Sequence, residues 1–226
     1  VLDLAGGIPS LSAVRNGCNP DCGLQAKPVP LLSIAQGRNV YAPETFRLAE
    51  TPAVSRQTAQ LKLSSDEARV AAMLSLAVRD RELSMGLTVE NTAAEARTLD
   101  ITFPQVRLDT ARPRDAWYFY PRMCPVWSSA EGTYEEPYGG QFPVQFLDMY
   151  DRQSGGGLSI GTRGREFQQR YYRLTKQGGV LSAHVQYRNH PTTGPGACFS
   201  CPESVLALHG GDFHPALDAY LSWFRS

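Results

Sequence analysis

From Thr58 to Leu108 apolar side chains recur at every second position, the period of a strand with one buried face. Gln60-Leu61-Lys62-Leu63 alternates and stops at Ser64-Ser65-Asp66. The next run, 69–78, has a composition that suits helix or strand. Val70, Ala72, Leu74, Leu76 and Val78 share one strand face, so strand is the reading. Leu83, Met85, Leu87 and Val89 point inward from the following run, with Arg79-Asp80-Arg81-Glu82 as a charged turn between the two. After a turn at 91–95, a fourth strand over 98–108 is interrupted at Pro104. Four such strands in succession predict an antiparallel meander with one face toward water.

The stretch 143–162, PVQFLDMYDRQSGGGLSIGT, predicts a second kind of hairpin. Val144, Phe146, Asp148 and Tyr150 fall on one face and Gln145, Leu147 and Met149 on the other, so both faces are expected to be covered. Ser154 and three glycines make the turn. Two more strands, 170–175 and 180–188, flank Gln177-Gly178-Gly179, and Glu203 to His209 is the last strand. A helix is predicted over 212–225, with Asp212 as N-cap and Pro215 in the first turn. Phe213, Ala216, Leu217, Tyr220, Leu221 and Phe224 recur at helical spacing. At the front, Ile8, Leu11 and Val14 form a short strand, 27–32 runs along an edge, and 39–53 is irregular with Tyr41 and Phe46 as anchors.

Composition bounds the function. The 226 residues are 42% hydrophobic, enough to bury a core without staples. Lys and Arg number 22, as do Asp and Glu. No basic stripe points to nucleic acid, and no apolar run reaches the ~18 residues of a membrane helix. Nothing near Val1 resembles a signal peptide. Five cysteines stand as Cys18 and Cys22 in GCNPDCG, Cys198 and Cys201 in ACFSCP, and Cys124 alone. Local disulfides or free thiols, a zinc site and a bridge between the pairs are the alternatives, and Cys124 reads as a core thiol. The pairs make a secreted or periplasmic setting the expectation.

Candidate chemistry lies in 109–142, which reads as a long aromatic connection with Trp117, Tyr118, Tyr120, Trp127, Tyr134 and Tyr138. These rings either cover a sheet or stack on sugars, whose C–H faces suit a π-system. Asp148 is a carboxylate in a strand of core character, either holding a loop or serving a site. Glu135, Glu136, Asp151 and Glu203 are the other carboxylates from which a hydrolytic pair could be drawn. His209, Asp212 and His214 are expected to form a hydrogen-bonded loop corner, too few ligands for a metal. There is no nucleophile elbow or phosphate cradle, and no cofactor is expected.

The order GGIPSL, a meander ending VEN, ITFPQV, WYFYP, QFLDMYD with GGGLSIGT, then HGGDFHPALDAYLSWF resembles the N-terminal β-supersandwich module of large TIM-barrel glycoside hydrolases. That family is mostly uncharacterised and distantly akin to endo-α-N-acetylgalactosaminidases. Its pattern Met-Gln-Phe-Met-Asp-Leu-Tyr, then Gly-Gly-Leu-Tyr, falls on Val144 to Ile160. Its link to the barrel falls on Gly211, Asp212, Phe213, His214, Ala219, Tyr220 and Trp223, with Phe213 where Trp is usual. The resemblance spans nearly the whole chain. It implies one all-β domain over 1–226, an antiparallel, galactose-mutarotase-like supersandwich with one C-terminal helix. It also implies catalytic carboxylates on a barrel after Ser226, with the sandwich supporting it and shaping the cleft for a polysaccharide or oligosaccharide. The helix face of Phe213, Leu217 and Phe224 would dock that barrel or pack on the sandwich. The alternatives are a stand-alone glycosidase or sugar epimerase with a carboxylate site, and an interaction domain without glycan affinity.

Overall fold

A computed structural model describes residues 2–3, 8–12 and 22–226, without the side chains of 2, 3 and 189–192. Two antiparallel sheets face each other over one core, and a single helix closes the chain. The larger sheet runs, in spatial order, Val126–Ser128, Ala116–Tyr120, Phe146–Asp151, Gly157–Arg163, Glu203–His209, Glu82–Asn91, Val70–Arg79, Thr58–Ser65 and Arg47–Leu48. The smaller runs Gly132–Pro137, Tyr171–Gln177, Val180–Thr193, Arg97–Thr110, Ser33–Gln36 and Asn39–Val40. Ser10–Leu11 pairs with Leu2–Asp3. Val14 and Cys18 lie outside the described residues.

The alternation holds where it was read except at the end of the second strand, where Val78 is 48% exposed. Leu61, Leu63, Leu74, Leu76, Met85, Leu87 and Val89 are all buried. Arg79 pairs with Glu82 across a two-residue turn in which Asp80 takes φ 51°, a left-handed conformation that aspartate tolerates. Gly178 and Gly179, at φ 56° and 81°, form the matching turn between Gln177 and Val180.

The meander has three strands in one sheet, not four. Arg97–Thr110 crosses to the smaller sheet, where it pairs with Val180–Thr193. Asn91 makes the corner. Its buried amide donates to the carbonyls of Glu95 and Thr193, both at 2.8 Å, and its oxygen accepts from Ala93 N at 3.1 Å and Arg97 Nε at 3.0 Å. The interruption at Pro104 is a bulge, since Thr102 faces Gln186 but Gln105 faces His184. Proline has no N–H for the ladder.

The segment 109–142 is the larger correction. It is not a loop but contains the strands Ala116–Tyr120, Val126–Ser128 and Gly132–Pro137. The last of these leaves for the smaller sheet. Lys176 clamps the segment from below. Its buried ammonium donates to the carbonyls of Pro113, Ala116 and Ser129 at 2.6, 2.5 and 2.5 Å, which satisfies all three donors without a carboxylate.

Candidate functional site

The hairpin Phe146–Asp151 with Gly157–Arg163 is buried on both faces except at Arg163, as its composition predicts. Register sets Asp148 opposite Phe119 on one side and Ser159 on the other. One step along the strands, Trp117, Tyr150, Gly157 and His209 form the next row. These side chains lie on the face of the larger sheet turned away from the core.

Asp148 is fully buried, and its Oδ2 accepts from His209 Nε2 at 2.7 Å. His209 Nδ1 faces the Gly210 carbonyl at 3.3 Å. Both ring nitrogens thus meet acceptors, an arrangement that suits the doubly protonated imidazolium. Burial opposes that charge, but the hydrogen bond and charge of Asp148, with the Gly210 carbonyl, outweigh it and hold the pKa above the ordinary 6.5. Asp148 Oδ1 is buried with no hydrogen-bond partner. The pair exists because residue 157 is glycine. A Cβ there would stand 2.5 Å from Met149 O, 2.6 Å from Tyr150 Cβ and 2.8 Å from His209 Cε1. Gly157→Ala is expected to lower stability by about 1–3 kcal/mol in urea denaturation and to displace the His209 ring signals in NMR spectra. Unchanged spectra would contradict this packing.

Aromatic rings border the pair. Trp127 Nε1 donates to Tyr150 Oη, and the Trp127 side chain remains 51% exposed. Trp117 lies 5.5 Å from Trp127, with the Arg152 guanidinium 4.5 Å over its ring. Phe213 stacks on Phe119 at 4.0 Å and approaches Trp127 at 6.0 Å. The helix spans His214–Arg225 and starts later than predicted, with Phe213 rather than Asp212 at its N-cap. Asp212 Oδ1 instead accepts from His214 N at 3.1 Å and His214 Nδ1 at 2.8 Å. His209 has turned away to Asp148, so the expected His209, Asp212 and His214 corner is divided. Ala216, Leu217 and Tyr220 pack on Phe119 and Phe146, so most of the apolar helix face covers the sandwich. Phe224 stays 66% exposed. Beyond Ala207 the same sheet face opens into a groove of about 680 Å³ floored by Gln60, Ser75, Ala77, Ser84 and Gly86.

The six aromatic candidates do not form one site. Strand alternation turns Trp117 outward and Tyr118 and Tyr120 inward, where both are fully buried. Tyr118 Oη donates to Tyr134 Oη at 3.1 Å, and burial pushes its pKa up to about 12. Tyr120 Oη donates to the Tyr172 carbonyl at 2.7 Å. Tyr138 lies in a different corner, under the buried Arg170 guanidinium at 4.2 Å, and accepts from Gln145 at 3.2 Å. Only Trp117 and Trp127 remain together on the outer face.

The carboxylates are also dispersed. Asp148 and Asp151, three positions apart in one strand, lie on opposite faces. Asp151 is fully buried, 2.7 Å from Arg112, and accepts from the amides of Gly23, Gln153 and Ser154. Glu136 belongs to the smaller sheet, 3.7 Å from Arg122. Cys22, Cys124, Cys198 and Cys201 are free thiols, and Cys124 is exposed in a turn rather than in the core. Among the described residues no helix is long and apolar enough to cross a membrane.

Sequence reasoning passed over Arg170 and Lys176. The signal for Lys176 was available, because Tyr172, Leu174 and Lys176 share one strand face and a cation in an inward position requires acceptors.

No protein-family model and no curated protein matches this chain. Solved structures do. An α-galactosidase from Lactobacillus brevis is similar at TM-score 0.56 and 11% identity, over 83% of this chain and 30% of that one. A variant of the GH36 α-galactosidase AgaA from Geobacillus stearothermophilus, in complex with stachyose, is similar at TM-score 0.57 and 12% identity, over 100% of this chain and 39% of that one. A putative aldose 1-epimerase from Escherichia coli K12 is similar at TM-score 0.52 and 9% identity, over 70% of this chain and 67% of that one. This chain thus spans well under half the length of the α-galactosidases it matches. The two facing antiparallel sheets, the terminal helix and these likenesses together define the fold as a galactose-mutarotase-like β-supersandwich, the architecture also present within GH36 α-galactosidases.

Proposed function

We propose that this chain is the β-supersandwich module of a glycoside hydrolase. In this reading it supports a catalytic domain and presents the Trp117 and Trp127 edge to glycan. The observation that carries it is the Trp127 ring, half exposed yet held by Tyr150 and bordered by Trp117 and Phe213. A fixed, exposed aromatic face packs on the C–H face of a sugar ring, and the nearby Arg152, Asp212 and His214 offer groups for its hydroxyls. The fold is consistent with this, since solved neighbours of the same architecture are α-galactosidases in complex with raffinose and stachyose. The catalytic domain would rest on the exposed end of the helix, where Tyr220, Trp223 and Phe224 form a ring cluster. The stand-alone enzyme reading draws no support from the carboxylates, because Asp148 and Asp151 are both fully buried and engaged.

Titration with raffinose and stachyose, followed by tryptophan fluorescence, tests the glycan edge. Trp127→Ala is expected to weaken binding about tenfold, equivalent to about 1.4 kcal/mol. Equal affinity in the variant, or no binding by the parent chain, would remove Trp127 from the function.

A further inference from the structure

The smaller sheet carries a second cluster on the face turned away from the core. Alternation in Gly132–Pro137, Tyr171–Gln177 and Val180–Thr193 turns Glu135, Arg173, His184 and Gln186 outward. Register sets Glu135 opposite Arg173, Arg173 opposite His184, and His184 opposite Gln105. Glu135 is forked between two guanidiniums, with Oε1 2.7 Å from Arg188 Nη2 and Oε2 3.5 Å from Arg173 Nη1. Arg188 is fixed twice more, donating from Nε to Gln186 Oε1 at 2.7 Å and lying 4.2 Å over the Tyr171 ring.

His184 sits amid these groups, half-buried, and among the described residues neither ring nitrogen has a hydrogen-bond partner. Burial first, then the Arg173 guanidinium, lowers its pKa to about 4. The ring is therefore neutral at neutral pH, with one N–H to donate and one nitrogen to accept. A merely solvated sheet face carries long charged side chains that move independently. Here planar groups hold one another in place around a half-buried imidazole. Two guanidiniums against one carboxylate leave one positive charge, and guanidinium edges match a carboxylate in plane.

We propose that Arg173, Arg188, His184 and Gln186 form a binding subsite for an acidic glycan. The sugar carboxylate meets the guanidinium edges that Glu135 leaves open, and neighbouring hydroxyls meet His184 and Gln186. That the ligand is a glycan rests on the function proposed above, whereas its charge follows from the cluster itself. This subsite lies on the opposite sheet from Trp127, so the two are separable.

The test is an NMR titration of the full chain with a galacturonic acid disaccharide, the uncharged galactose disaccharide and sodium acetate. The acidic disaccharide is expected to shift the His184 ring and Arg173 side-chain signals and to bind at least about tenfold more tightly than the other two. Arg173→Gln is expected to weaken it about tenfold. Arg173 is 44% exposed, so its variant should fold, and circular dichroism verifies this. Equal binding of the uncharged disaccharide, equal shifts from acetate alone, or an unaffected Arg173→Gln variant would each overturn the proposal. Failure of raffinose and stachyose to bind while the acidic disaccharide does would reject the Trp127 edge and leave this subsite standing.

Discussion

Asp148→Ala is expected to lower the unfolding free energy by about 3–5 kcal/mol, because it leaves the His209 imidazolium buried without its counter-ion. Asp148→Asn keeps the shape and one acceptor, so its loss should be smaller, about 1–3 kcal/mol. The pH dependence gives a second readout. The folded-state pKa of His209 is raised above 6.5, so the folded chain binds the extra proton more tightly than the unfolded chain. The stabilisation is fully present below 6.5 and is lost as pH rises from there through the raised value. Urea denaturation across that window should show this decline in the parent chain and a flatter profile in Asp148→Asn. Stability that rises with pH there would contradict the ion pair.

Tyr120→Ala carries the second large effect. The ring is fully buried, 4.9 Å from Phe142 and 5.4 Å from Tyr134. Its removal leaves a cavity costing about 3–5 kcal/mol. Tyr120→Phe removes only the bond to the Tyr172 carbonyl and should cost about 1 kcal/mol. Trp127→Ala, on a half-exposed ring, should cost no more than about 1 kcal/mol. The three denaturation midpoints together check the inward and outward assignment. A Tyr120→Ala variant as mild as Trp127→Ala would mean that Tyr120 is not between the sheets.

The division among the aromatics shows what a sequence pattern can and cannot carry. Trp117, Tyr118 and Tyr120 look alike as residue types, and four prolines and many rings made 109–142 resemble a loop. Alternation within Ala116–Tyr120 was visible, but two of its outward positions are Trp117 and Phe119, so polarity did not mark the faces. A helix later covers Phe119, which is why an apolar side chain can point away from the core there. The free Cys124 shows the same limit, since its apolar character alone gave no indication of the exposed turn it occupies.

The sequence by itself determined the strands of the meander, the glycine hairpins, the last strand and the terminal helix. Their signals are local: period two, left-handed turn positions and helical spacing act within a few residues. Tertiary structure decided which sheet each strand joined, through the buried Asn91 corner, and which residues met. Asp148 and His209 are 61 positions apart and pair because the one strand between theirs, Gly157–Arg163, holds both neighbours in register. Glu135 reaches Arg173 and Arg188 by the same means. Alternation states whether a side chain points in or out, but register between distant strands is a property of the assembled sheet, and the sites of this protein are built from register.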